Sequence, residues 1–133
     1  MARNIANNYR KAQLNTASPG QRVVLMYEGL LKELKKAEHC IKNINKDIQN
    51  IEASHNSIAL SEQIILELKL ALDIDNGGEL AKNLDNLYEF WIVQLSEANT
   101  KKSSEILSPI IDMVEELKNT WREAAKKARQ LGA

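Results

Sequence analysis

The sequence predicts an all-α fold, an antiparallel up-down four-helix bundle, and three observations carry the prediction. Apolar residues recur at helical spacing through four long segments. The two prolines and five glycines are sparse and fall mostly at the ends of those segments. No stretch of useful length alternates apolar with polar residues as a half-buried strand would. Long helices joined by short connections become antiparallel neighbours, hence the bundle. A chain of 133 residues suits one domain and can bury a core without disulfides or metal.

Ser18-Pro19-Gly20-Gln21 opens the first helix: Ser18 as N-cap, Pro19 at the first helical position, Gln21 placed to complete a capping box. Val23, Met26, Tyr27, Leu30, Leu34, Ala37, Ile41 and Ile44 then keep helical period, which places this helix over 19–45. The polar stretch "NKDIQN" interrupts. The period resumes at Ile51, Ile58, Ile65, Leu68 and Leu72, a second helix over 51–73. Asp73 to Gly78 supplies turn chemistry, with Gly77 and Gly78 tolerant of positive φ. Leu80, Leu84, Leu87, Tyr88, Trp91, Leu95 and Ala98 mark a third helix ending near Lys101. Ser103 or Ser104 caps the fourth, which carries Ile106, Ile110, Val114, Leu117, Trp121, Ala124 and Ala128. Pro109 is late for a first-turn proline, so the spacing predicts either a start nearer Ser108 or a slight kink. The expected organisation is an N-terminal segment over 1–17, the bundle over 18–129 and a tail over 130–133.

Composition narrows the function. Lys plus Arg and Asp plus Glu number 18 each, so no bulk charge points to nucleic acid or to acidic lipid. Arg3, Arg10, Lys11 and Arg22 precede the first acid, Glu28, which leaves the remainder at 14 minus 18, or −4. The lone Cys40 allows no internal disulfide and fits a reducing compartment. No apolar run approaches the roughly 20 residues that span a bilayer, so no membrane insertion is expected. After Met1 the larger apolar side chains among the first twenty residues are Ile5, Tyr9 and Leu14, too few for a signal-peptide core. The expected location is the cytoplasm.

Catalytic and metal constellations are thin. A di-iron bundle site needs two Glu-x-x-His motifs and two further glutamates. Glu52-Ala53-Ser54-His55 matches one, but the other histidine, His39, follows Lys36 at that spacing. Histidine phosphotransfer would use His55, yet no lysine follows until Lys69. Cys40 has only the adjacent His39, and neighbours i and i+1 do not face each other on a helix. Gly77-Gly78 lacks the Lys-Ser/Thr of a phosphate loop. The basic end, Lys126, Lys127 and Arg129, is what the dipole at a helix C-terminus favours. No enzyme, cofactor or metal is expected. A phosphotransfer or metal-binding bundle resting on Glu52 and His55 is the alternative.

The informative feature is apolar surplus beyond the core stripes. On helix two, Leu66 and Leu70 fall roughly opposite Ile65, Leu68 and Leu72, together with Ala59. On helix three, Val93 lies off the stripe and Phe90 at its edge. A second stripe on a bundle helix usually faces a partner. In the N-terminal segment Ile5 and Tyr9 stand i, i+4, one amphipathic turn that is marginal alone and able to dock on the bundle as a lid.

Several stretches match a known family. Tyr9 followed by "NTASPGQRVVLMYEGLLKEL", then "SEQIILELKLALDIDNGGELAKNLDNLYEFWIVQLSEAN", then "IIDMVEELKNTW" resemble the flagellar secretion chaperone family FliS over about 9–121. The resemblance implies a cytoplasmic four-helix chaperone. It would bind the disordered C-terminal segment of flagellin, keep it from polymerising early and help deliver it to a component of the flagellar type III export gate. It also implies an N-terminal segment that covers part of the client surface, with Tyr9 as its partner-contacting tyrosine. The residues expected at the client are Leu66, Leu70, Phe90 and Val93, with Leu25 and Tyr27 near the lid hinge. Tyr27 lies on the core stripe of helix one and Leu25 off it. Self-association as a weak homodimer through Leu66 and Leu70 is left open.

Overall fold

The computed structural model describes residues 18–131. They form four helices and no strand: α1 Pro19–Lys42, α2 Gln49–Leu70, α3 Gly78–Lys101 and α4 Ser104–Gln130. Contacts between named residues give the topology. Asn50 on α2 donates to the Asn43 carbonyl at the end of α1, and Lys69 at the end of α2 meets Asp85 near the start of α3. Arg122 late in α4 meets Glu28 early in α1. Each helix therefore runs antiparallel to the next, and α4 closes the ring against α1, as the apolar periodicity predicts.

Local chemistry sets the helix ends. The capping box at Ser18 is present in both directions, Gln21 N–H to the Ser18 hydroxyl and Ser18 N–H to the Gln21 side chain, each 3.2 Å. α1 stops at Lys42, short of the expected Asn45, because the Asn43 side chain takes the His39 carbonyl at 2.7 Å. α2 starts at Gln49, earlier than the expected Ile51, where Asp47 accepts the Gln49 N–H at 2.9 Å. It ends at Leu70 rather than near Asp73. Ser103 caps α4 by accepting from Ile106 N–H, and the helix continues through Pro109 instead of starting at Ser108. The Pro109 ring removes one backbone donor at an exposed position of the helix.

The core is aromatic at its centre. Tyr27, Tyr88 and Trp91 are almost completely enclosed, with Leu30, Leu34, Ile58, Ile65, Leu95 and Leu107 around them. Tyr27 is edge-on to Trp91 and to the partly buried Trp121, with ring centroids 6.4 and 6.2 Å apart. Burying these rings and aliphatic side chains is the main stabilising contribution, at about 1.5–3 kcal/mol for each large side chain.

Four positions on the expected stripes are exposed. Leu80 and Ile51 sit in the first turns of α3 and α2, at the open ends of the bundle. Ala124 and Ala128 lie on the last turns of α4, the longest helix at 27 residues against 24 in α1. Gly20 at the start of α1 approaches Ala125, so the turns after Ala125 run past the end of α1. Conversely, Ser54, Ser57 and Ser61 are buried on α2. The Ser54 and Ser61 hydroxyls donate to carbonyls of their own helix at 2.8 Å, which satisfies them without a partner across the seam.

Candidate functional site: the outer face of α2 and α3

Lys69 bridges the α2–α3 seam, with Nζ 2.8 Å from Asp85 and 3.7 Å from Glu89. These carboxylates, hydrogen bonding first, hold the Lys69 ammonium above the usual lysine pKa. At the other end of the seam Asn99 meets His55 at 2.9 Å. Both contacts keep one antiparallel register, so Leu66 comes level with Tyr88 and Ala59 with Leu95.

That register places the surplus apolar residues. Leu66 and Leu70 lie on the outer side of Lys69, 46% and 85% exposed. On α3, Asp85 and Glu89 mark the edge turned to α2. Val93 follows Glu89 by one turn and Phe90 stands beyond it, 56% and 50% exposed. The four side chains share one outer face, with the Lys69–Asp85–Glu89 bridge running between the two apolar rows. Ile74, in the α2–α3 connection, is also exposed. Single exposed leucines are ordinary on a protein surface, whereas here four exposed apolar side chains stand in two rows on either side of one charged bridge.

The remaining expected residues lie elsewhere. Tyr27 is fully enclosed, and its hydroxyl is 2.7 Å from that of Tyr88. It is a core residue and offers no surface to a client. Leu25 is half-buried on α1, away from the α2–α3 face. Ile5 and Tyr9 lie outside the described residues. Sequence reasoning missed Lys69, Asp85 and Glu89. The i, i+4 spacing of the two acids was a visible signal, but their common partner depends on the register between helices.

The polar groups weighed for catalysis are dispersed. His55 pairs with Asn99, and Cys40 is buried in α1. Among the described residues no three His, Cys, Asp or Glu side chains converge as a metal site would require. No described helix is long and apolar enough to cross a membrane.

Comparison with known proteins gives the family. Residues 1–128 match the family described as "Flagellar protein FliS". The chain belongs to the FliS family of flagellar secretion chaperones. It is 34% identical to the flagellar secretion chaperone FliSB of Pseudomonas aeruginosa, over 84% of each chain. The Campylobacter jejuni FliS is 32% identical over 92% of this chain and 93% of its own. For the Vibrio cholerae FliS the identity is 29%, over 92% of this chain and 86% of the relative. A solved structure described as a flagellar chaperone from bacteria superposes with a TM-score of 0.73 at 20% identity, covering 96% of this chain and 99% of that one. At that identity the superposition speaks for the fold alone. The family is one of chaperones, which are binding proteins.

Proposed function

We propose that the chain is a cytoplasmic export chaperone that holds the disordered C-terminal segment of flagellin on the outer α2–α3 face. Binding prevents premature polymerisation, and the complex is then delivered to a component of the flagellar type III export gate. The observation that carries this reading is that Leu66, Leu70, Phe90 and Val93 are exposed among the described residues of a protein of the chaperone family. A disordered client folds as it binds, laying the apolar side of helical pieces on such a face. This mode buries about 1,000–3,000 Å² while about 2–5 kcal/mol goes to ordering the client, which gives firm but releasable binding without nucleotide. Residues 1–17 are assigned as a lid over part of that face, Ile5 and Tyr9 supplying its apolar contacts. A lid that is shut part of the time lowers the apparent client affinity by the fraction of protein left open.

Calorimetric titration with a peptide covering the C-terminal segment of the host's flagellin tests the reading. One-to-one binding with a large negative heat-capacity change is expected. Leu66→Ser with Leu70→Ser should weaken it at least about tenfold with unchanged helical content, since each removes a buried aliphatic contact of about 1.5–3 kcal/mol. In the full chain, Ile5→Ser with Tyr9→Ser should tighten it. Unchanged affinity in the Leu66/Leu70 variant would remove this face from the client site.

A further inference from the structure

The opposite end of the α2–α3 face carries a second surface feature, a groove of about 790 Å³ lined by Ile48, Ile51, Glu52, His55, Asn99 and Lys102, among others. Its polar wall is a hydrogen-bonded series. Lys102 Nζ donates to Asn99 Oδ1 at 2.6 Å, which fixes the amide with its Nδ2 toward His55. Nδ2 lies 2.9 Å from His55 Nδ1, so Nδ1 accepts and the neutral ring carries its proton on Nε2. Lys102, at the α3 C-cap, has no carboxylate partner among the described residues; its one bond goes to a neutral amide. Burial pushes its ammonium below the usual lysine pKa. The apolar wall is Ile48, 76% exposed, with Ile51, 41% exposed.

A partly buried ammonium with no carboxylate bonded to it among the described residues, next to two exposed isoleucines, suits a ligand that brings both a carboxylate and aliphatic groups. We propose that this groove is a docking site for an aliphatic segment of a partner protein that carries one Asp or Glu side chain. The carboxylate is received by Lys102 and the Asn99–His55 pair, and the aliphatic groups lie on Ile48 and Ile51. Charge complementarity selects the occupant. One ammonium matches one carboxylate, and the Glu52 carboxylate in the same lining repels a dianion more than a single negative charge. The groove is open to solvent, which admits a passing chain with a side-chain acid. The site is separate from Leu66 and Leu70 and stands whether or not flagellin is the client of that other face.

The test is an NMR titration of the ¹⁵N-labelled full chain with a blocked seven-residue peptide of Leu and Ala with one central Glu, against its Gln counterpart. The Glu peptide should shift the Asn99 side-chain amide and the Ile51 and Thr100 signals, and bind about threefold to tenfold more tightly than the Gln peptide. Lys102→Met should bring the two peptides within about twofold of each other while keeping the rest of the fingerprint; His55→Gln, at an exposed position, should narrow the gap independently. Glu52→Gln should tighten the Glu peptide. Equal affinities of the wild-type chain for the Glu and Gln peptides would overturn the proposal, as would shifts confined to the Leu66–Val93 face. A Gln peptide with a free C-terminal carboxylate that matches the blocked Glu peptide would overturn the side-chain assignment.

Discussion

Tyr27 of α1 and Tyr88 of α3 join hydroxyl to hydroxyl, 2.7 Å apart, across the middle of the bundle core. Each hydroxyl is the other's hydrogen-bond partner, and the Trp121 indole also lies against Tyr27. Tyr88→Phe leaves the Tyr27 hydroxyl buried and should cost about 1–3 kcal/mol in urea denaturation, whereas Tyr27→Phe with Tyr88→Phe should recover most of that loss. A double variant as unstable as the single one would show that ring packing, not the hydroxyl pair, is at stake.

The same pair sets an alkaline limit. Burial, the largest cause at both residues, raises both phenol pKa values above the usual 10.0. The folded state therefore holds its phenol protons where the unfolded chain releases them. The stability contributed is fully present below pH 10, the unfolded value, and is lost as pH rises from there toward the folded values. Thermal melts should be flat in this respect to about pH 9 and fall above pH 10, less steeply in the double Phe variant.

Gly77 and Gly78 are neighbours with different reasons for being glycine. A Cβ at Gly77 would fall 2.5 Å from both the Asp73 carbonyl oxygen and the Ala81 Cβ, while Gly78 has open space but φ +61°. Gly78→Ala should cost about 1–2 kcal/mol and Gly78→Asn less, since asparagine tolerates the left-handed region. At Gly77 the clash comes from Cβ itself, so Ala and Asn should both destabilise by about 1–3 kcal/mol. Chemical denaturation of the four variants checks this; rescue of Gly77 by Asn would contradict the steric account.

Lys102 is the one described non-glycine residue with positive φ, at 50°. It closes α3 in the left-handed conformation and hands the chain to the Ser103 cap of α4. Lys102→Gly should raise stability by about 0.5–1 kcal/mol, a Tm gain of a few degrees in calorimetry. A drop would mean that its side-chain bond to Asn99 outweighs the backbone strain.

Leu68 and Leu70, two positions apart on α2, are 3% and 85% exposed. Leu68→Ala should cost about 2–5 kcal/mol and Leu70→Ala within about 0.5 kcal/mol of nothing. Similar losses at both positions in denaturant titration would mean that Leu70 is already covered in the free protein.

The sequence made some of this plain and hid the rest for identifiable reasons. The Ser18–Gln21 capping box and the apolar period of α1 and α3 were readable because they depend on residues within one or two turns. Leu66, Leu70, Phe90 and Val93 were readable as surplus for the same reason. The buried serines of α2 were not, because a serine bonded to its own helix looks polar in sequence and fits as a small side chain in the fold. Leu80 and Ile51 misled in the opposite sense: they keep the period but sit at helix ends where the described residues leave them exposed. Tyr27 was placed on the core stripe by its spacing, and its enclosure there leaves no exposed surface for the lid-hinge contact also expected of it. The Lys69 bridge and the Lys102–Asn99–His55 series needed the register between α2 and α3, which loop geometry and packing set together.

The serines of α2 also decide how the bundle reseals after a fluctuation. With the Ser54 and Ser61 hydroxyls already bonded within their own helix, neither contributes a directional link to α1. Along that stretch the alignment of the two helices rests on the seating of Ile58, Ile65 and Leu68 rather than on pairing of donors with acceptors. Slippage by a turn is penalised sterically, through lost fit of those side chains.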